Sequence, residues 1–148
     1  MRTTLFLIVF DLAACAASML GTWEMDSARS SFIGAVPPKS LTMRIEPHAR
    51  GSVFTLDRIE ADGRATSSST ILYLDSTPRD LQDFECSGTQ SSRWLKEQTM
   101  EIRRVCTSTD SIWLLRQSVQ NSKELMVTIA RKNRSGPSFE WRLVLNKR

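Results

Sequence analysis

Alternation of apolar and polar residues with period two runs through almost the whole chain, and it commits the polypeptide to strands rather than helices. Leu41, Met43 and Ile45 alternate with Thr42, Arg44 and Glu46. Phe54, Leu56 and Arg58 alternate with Val53, Thr55 and Asp57. The same pattern recurs at Met100–Val105, at Leu125–Ala130 and at Phe139–Leu145. Turn signals separate the runs: Pro47 to Gly51, Ala61-Asp62-Gly63, Thr77-Pro78-Arg79-Asp80, Gln120-Asn121-Ser122 and Ser135-Gly136-Pro137. Short, evenly spaced strands predict a single antiparallel meander of about eight to ten strands, all-β, closing into a barrel that removes its edges. Gln90 to Gln98 is the one stretch that reads equally as a helical turn or a strand.

Residues 1–16 read as an export signal: Arg2 supplies the positive end and Leu5 to Phe10 an apolar run. Two cleavage readings fit. Leu12-Ala13-Ala14-Cys15 looks like a lipobox, which makes Cys15 the site of a lipid anchor. Ala14-Cys15-Ala16 also fits a plain A-x-A site, in which case Cys15 leaves with the leader. Either places the protein outside the cytoplasm, in the periplasm or cell envelope. The remaining stretch of roughly 130 residues is the size of one domain, taken as 21–148. No later segment is apolar for long enough to span a bilayer as a helix.

The charge balance is mild, +4 over 148 residues, and no aromatic-basic or helix-turn-helix pattern points to nucleic acid. Besides Cys15 there are Cys86 and Cys106. An even pair in an exported chain predicts a disulfide, with two buried thiols as the alternative. A hairpin turning near Glu97-Gln98 brings the pair together if a bulge near Gly88 corrects the register.

Nothing in the sequence spells out a reaction. The single histidine, His48, sits in a turn and has no partner for a metal site. No G-x-S-x-G elbow is present, and no cofactor motif is found. The chain therefore reads as non-enzymatic. Trp113, Trp141 and Tyr73 are the candidate walls of a ligand cavity, with core packing as the alternative for the two tryptophans.

Gly21-Thr22-Trp23-Glu24-Met25-Asp26 and Arg29-Ser30-Ser31-Phe32 resemble the start of an uncharacterised group of exported bacterial proteins with lipocalin-like, calycin-like barrels. Pro37-Pro38-Lys39-Ser40-Leu41-Thr42, Ile45-Glu46-Pro47, Ala61-Asp62-Gly63 and Phe139 to Lys147 carry the resemblance further. It implies a barrel whose first-strand Gly21 and Trp23 seal one end, with a last-strand arginine stacked on the indole. Arg142 is the matching residue, and Arg131 the alternative. It implies no catalytic residue. The function expected is binding of a small hydrophobic or amphipathic molecule in the lumen. The alternative is a structural or interaction protein of the envelope, with a packed barrel and a basic turn at Arg131 to Arg134.

Overall fold

The computed structural model describes residues 19–148, so the leader and Cys15 lie outside the described residues. Eleven strands follow one another: β1 (Gly21–Met25), β2 (Ser31–Ile33), β3 (Ser40–His48), β4 (Gly51–Ile59), β5 (Ala65–Leu72), β6 (Arg79–Gln82), β7 (Ser87–Lys96), β8 (Thr99–Cys106), β9 (Ser111–Asn121), β10 (Glu124–Asn133) and β11 (Phe139–Lys147). All pairings are antiparallel. Ten strands lie in the order β5-β4-β3-β1-β11-β10-β9-β8-β7-β6, and β2 adds itself to β11. The first strand thus pairs with the last, as a closing meander requires. The ambiguous stretch from Gln90 is strand β7, which turns at Glu97-Gln98 into β8.

The period-two pattern decides what faces the interior. Odd positions of β3 and β11 and even positions of β4 and β8 point inward. Leu41, Met43, Phe54, Met100, Ile102, Leu143 and Leu145 are all buried as a result. Register stacks them in rows that cross the sheet, such as Ile102–Leu115–Ile129–Trp141. Each fully buried Leu or Met contributes about 1.5–3 kcal/mol.

Trp23 closes one end and is fully buried. Its Nε1–H donates to the Met19 carbonyl at 2.9 Å. The cation on its ring is Lys147, at 5.2 Å, and not Arg142. Parity explains the correction. Trp23 pairs with Lys147 and Met25 with Leu145, so β1 shares the odd-numbered face of β11. Arg142 is on the outer face, exposed, with its Nε donating to Glu140 at 2.9 Å. Arg131 does not reach Trp23 either; it lies over Trp113. Gly21 has φ +131°, and a Cβ there would stand 2.8 Å from Lys147 Cε. The bare glycine gives the lysine stem its place beside the indole.

Cys86 and Cys106 are bridged, with Cα atoms 5.1 Å apart. No bulge at Gly88 is needed, because the register shift falls between Trp94 and Lys96 instead. Gly88 stands directly opposite Cys106, and Cys86, two residues earlier, keeps to the same side. A Cβ on Gly88 would meet the Val105 carbonyl oxygen, so the close approach depends on glycine.

The sheet does retain two edges, β5 and β6, which no ladder joins. After Leu72 the chain is turned aside by left-handed residues at Leu74 (φ 59°) and Ser76 (φ 64°). Both amides then bond to Ser92 of β7, at 3.0 Å to its Oγ and 2.9 Å to its carbonyl. Gln90 Nε2 donates to Thr70 Oγ1 at 3.0 Å. Side chains and a loop, rather than a ladder, hold this seam.

Candidate binding site at the open end of the barrel

The end opposite Trp23 is framed by the starts of β5, β9 and β11, the ends of β4, β8 and β10, and two loops. Here the inward row is Gln90–Arg104–Trp113–Arg131–Phe139. The next row inward ends in Trp141, paired with Phe32 of β2. Four rings meet edge to face or tilted: Trp113 with Phe139 at 5.2 Å, Phe139 with Trp141 at 5.3 Å, and Phe32 with Trp141 at 5.3 Å. The Arg131 guanidinium lies 5.1 Å from the Trp113 ring centre.

Two adjoining spaces lie against this cluster. The outer is an open hollow of about 360 Å3, bordered by Val36, Phe84, Trp113, Arg131, Phe139 and Trp141. The inner is a cavity of about 40 Å3 reaching Phe54, Leu56, Ser68, Ile102 and Ile129. Arg58, Glu85, Trp113 and Trp141 border both. One water needs about 10–15 Å3, so the inner cavity takes a few waters or the tip of a larger molecule. Below it the buried core is filled by the chain's own side chains, among them Trp23, Leu41, Met43, Ile45, Leu125 and Leu143. The room expected throughout the lumen is found at its mouth.

Two apolar side chains stand uncovered at the rim: Val36, 72% exposed, and Phe84, 60% exposed. Phe84 is carried by the link between β6 and β7, which is tied down from three sides. The disulfide anchors Cys86. Asp83 Oδ1 accepts the amides of Glu85 and Cys86, both at 2.8 Å. Asp83 Oδ2 receives Arg104 Nη1 at 3.1 Å.

Two of the inward-facing charges, Arg58 and Arg104, are already matched. Arg58, mostly buried, donates to Glu85 at 2.5 Å and lies 3.2 Å from Glu60. Arg104 also donates to Gln90 at 2.9 Å. Burial pulls the Arg104 pKa below its ordinary value, while Asp83 and Glu85 favour the charged form and oppose that shift. Trp113 Nε1, Trp141 Nε1 and Gln117 Oε1 are buried with no hydrogen-bond partner among the described residues. Each unpaired group costs about 1–3 kcal/mol.

Of the residues expected to line a cavity, Trp113 and Trp141 lie together on both spaces. Tyr73 borders neither. It lies under Arg79, whose guanidinium is 3.9 Å from its ring, beside a separate polar hollow at the β5–β6 seam. His48 ends β3 beside the β3–β4 turn, where its Nδ1 accepts the Arg50 amide at 3.1 Å. Ser68 lines the inner cavity, whereas Ser67 and Ser69 bond outward to Asp57 and Thr55. Val36, Phe84, Phe139, Arg58 and Glu85 were not singled out by sequence. The one available signal was Phe84 itself, a large ring between two acids in a segment with no strand pattern.

No protein-family model matches the chain, and no curated protein matches it. Solved structures match it in fold. A Schistosoma mansoni fatty acid binding protein in complex with arachidonic acid aligns with TM-score 0.53 at 9% identity, covering 87% of this chain and 97% of that one. As-p18, an extracellular fatty acid binding protein, aligns with TM-score 0.55 at 11% identity, covering 88% of this chain and 96% of that one. The fold is thus the calycin-like, lipocalin-like antiparallel β-barrel of which these proteins are examples.

Proposed function

We propose that this protein is an exported, non-enzymatic barrel that binds one small hydrophobic or amphipathic molecule at its open end. The observation that carries the reading is the uncovered apolar mouth: Val36 and Phe84 held in water beside an aromatic cluster that opens onto an inner cavity. Apolar surface left exposed around a concavity is the usual mark of a binding site. Two fold neighbours are fatty acid binding proteins, which supports a ligand of this general kind. The apolar leader and the Cys86–Cys106 bridge support export, since disulfides persist in oxidising compartments. The resemblance at Gly21-Thr22-Trp23 supports a bacterial envelope as the setting, with Cys15 as the lipid site if the lipobox is used.

Native mass spectrometry of the purified protein and displacement of a fluorescent fatty-acid probe test the reading directly. We expect a bound species or micromolar displacement, weakened by Phe84→Ser. A wild-type protein that binds no apolar probe at micromolar concentration overturns it.

A second reading is favoured by the small inner cavity: a packed barrel that serves as an envelope interaction protein through its basic turn, Arg131 to Arg134. It predicts salt-sensitive association with anionic vesicles that Phe84→Ser leaves unchanged and Lys132→Glu abolishes.

A further inference from the structure

Four arginines border the two spaces at the open end, and they are not equivalent. Arg58 is engaged by Glu85 and Glu60. Arg104 is engaged by Asp83 and Gln90. Arg64 lies 3.8 Å from Asp62. Arg131 has no carboxylate within ion-pair distance among the described residues. Its Nε donates to Asn133 Oδ1 at 2.9 Å, and its guanidinium carbon lies over Trp113, 5.1 Å from the ring centre. The four N–H groups of its two terminal nitrogens have no acceptor among the described residues, so they are available to an anion.

The arginines that border the inner cavity, Arg58 and Arg104, offer the opposite environment. They are balanced by Glu60, Glu85 and Asp83, so a negative group carried to the inner cavity meets surroundings that are neutral or slightly acidic. The inner cavity is also too small for more than the tip of a molecule. The apolar lining runs from Phe84 and Val36 inward to Trp141 and Ile129.

Resting on the binding reading above, we infer that the ligand is a single-tailed amphipathic anion held with its charged head outward. Arg131 receives the head at the rim, and the tail lies across the aromatic cluster toward the inner cavity. Arg58 and Arg104 are structural ions in this arrangement and do not receive the head.

The test compares decanoate with decanol, two probes with the same chain, by tryptophan fluorescence and by displacement of a fluorescent probe. Wild-type protein should bind decanoate more tightly, and added salt should remove that advantage. Arg131→Gln should weaken decanoate about tenfold, the size of one lost charge-assisted contact, and weaken decanol far less. Arg131→Lys should restore much of the difference. If Arg131→Gln weakens both probes equally, the arginine only braces Trp113 and the inference fails. If Glu85→Gln strengthens decanoate while Arg131→Gln leaves it unchanged, the head points inward to Arg58 and the inference also fails. If Arg131→Gln does not fold, the salt dependence of the wild-type decanoate–decanol difference decides. If neither probe binds the wild type, it is the binding reading itself that falls.

Discussion

Lys147 stands directly opposite Trp23 in the ladder between first and last strands, with its ammonium 5.2 Å from the indole centre. The pair seals the barrel at the point where the meander closes. Trp23→Ala should cost about 3–5 kcal/mol, the usual loss for a buried tryptophan. Lys147→Met keeps the aliphatic stem over the ring and removes the charge, so it should cost less than about 1 kcal/mol. Gly21→Ala should also destabilise, because φ +131° strains any L side chain and the added methyl would press on the Lys147 stem. Urea unfolding of the three variants checks the order. An Arg142→Met variant should be near neutral, since that side chain is exposed on the outer face.

The disulfide joins Cys106, at the end of β8, to the link that carries Phe84. Its loop of 20 residues should contribute about 3 kcal/mol by restricting the unfolded chain. Reduction, or Cys86→Ser with Cys106→Ser, should lower the unfolding midpoint accordingly. It should also raise hydrogen exchange first at Asp83 to Ser87, since that link then loses its covalent anchor and keeps only non-covalent ties such as those of Asp83 and the Glu85–Arg58 pair. Uniform loss of protection across the sheet would show that the bridge braces the whole fold instead of the mouth.

On the outer face, Glu101 is buried beneath Arg93 and Arg116, which donate to its two oxygens at 2.9 and 2.8 Å. Burial pushes its carboxyl upward, but hydrogen bonds from Arg116 and Arg93 outweigh this and leave the pKa below the ordinary value. A carboxylate with a lowered folded pKa adds stability above its unfolded pKa, about 4.3 for glutamate. That contribution is lost as pH falls through the lowered value. Wild type should therefore exceed Glu101→Gln in stability at neutral pH, with the gap closing under acid. A gap that stays constant down to about pH 3 would mean the two arginines do not hold the carboxylate charged.

Much of this architecture was legible because one period governs it. Alternation at Leu41–Glu46 and Phe139–Leu145 gave both the strands and their inward faces, but the expected stacking of Arg142 on Trp23 did not hold, because Trp23 shares the odd-numbered face of β11. The lysine that takes its place was not legible, since the β1–β11 register depends on how the whole meander closes. The seam was hidden for a similar reason. It arises from left-handed backbone at Leu74 and Ser76, two residue types that do not announce it. Trp113 and Trp141 were readable as candidate walls from their strand positions. Their partners Val36 and Phe84 come from loops, where no period constrains side-chain direction.

Arg58 supplies the sharpest energetic test of the open end. It sits on the inward face of β4, only 9% exposed, on a strand otherwise lined there by Phe54 and Leu56. Removing the partner of such an ion leaves a buried charge unmatched, which costs up to about 3–5 kcal/mol when the charge has no other recourse. Glu60 remains 3.2 Å away and Glu85 is itself 26% exposed, so the Glu85→Leu cost should fall well below that limit, at about 1–3 kcal/mol. Replacing both partners, Arg58→Met with Glu85→Leu, removes the charge together with its need for a partner. The double variant should therefore be more stable than Glu85→Leu alone, and close to wild type. Thermal unfolding of the wild type, both single variants and the double variant completes the cycle. A double variant less stable than Glu85→Leu would show that the ion pair stabilises the mouth outright, and is not merely a buried charge that must be matched.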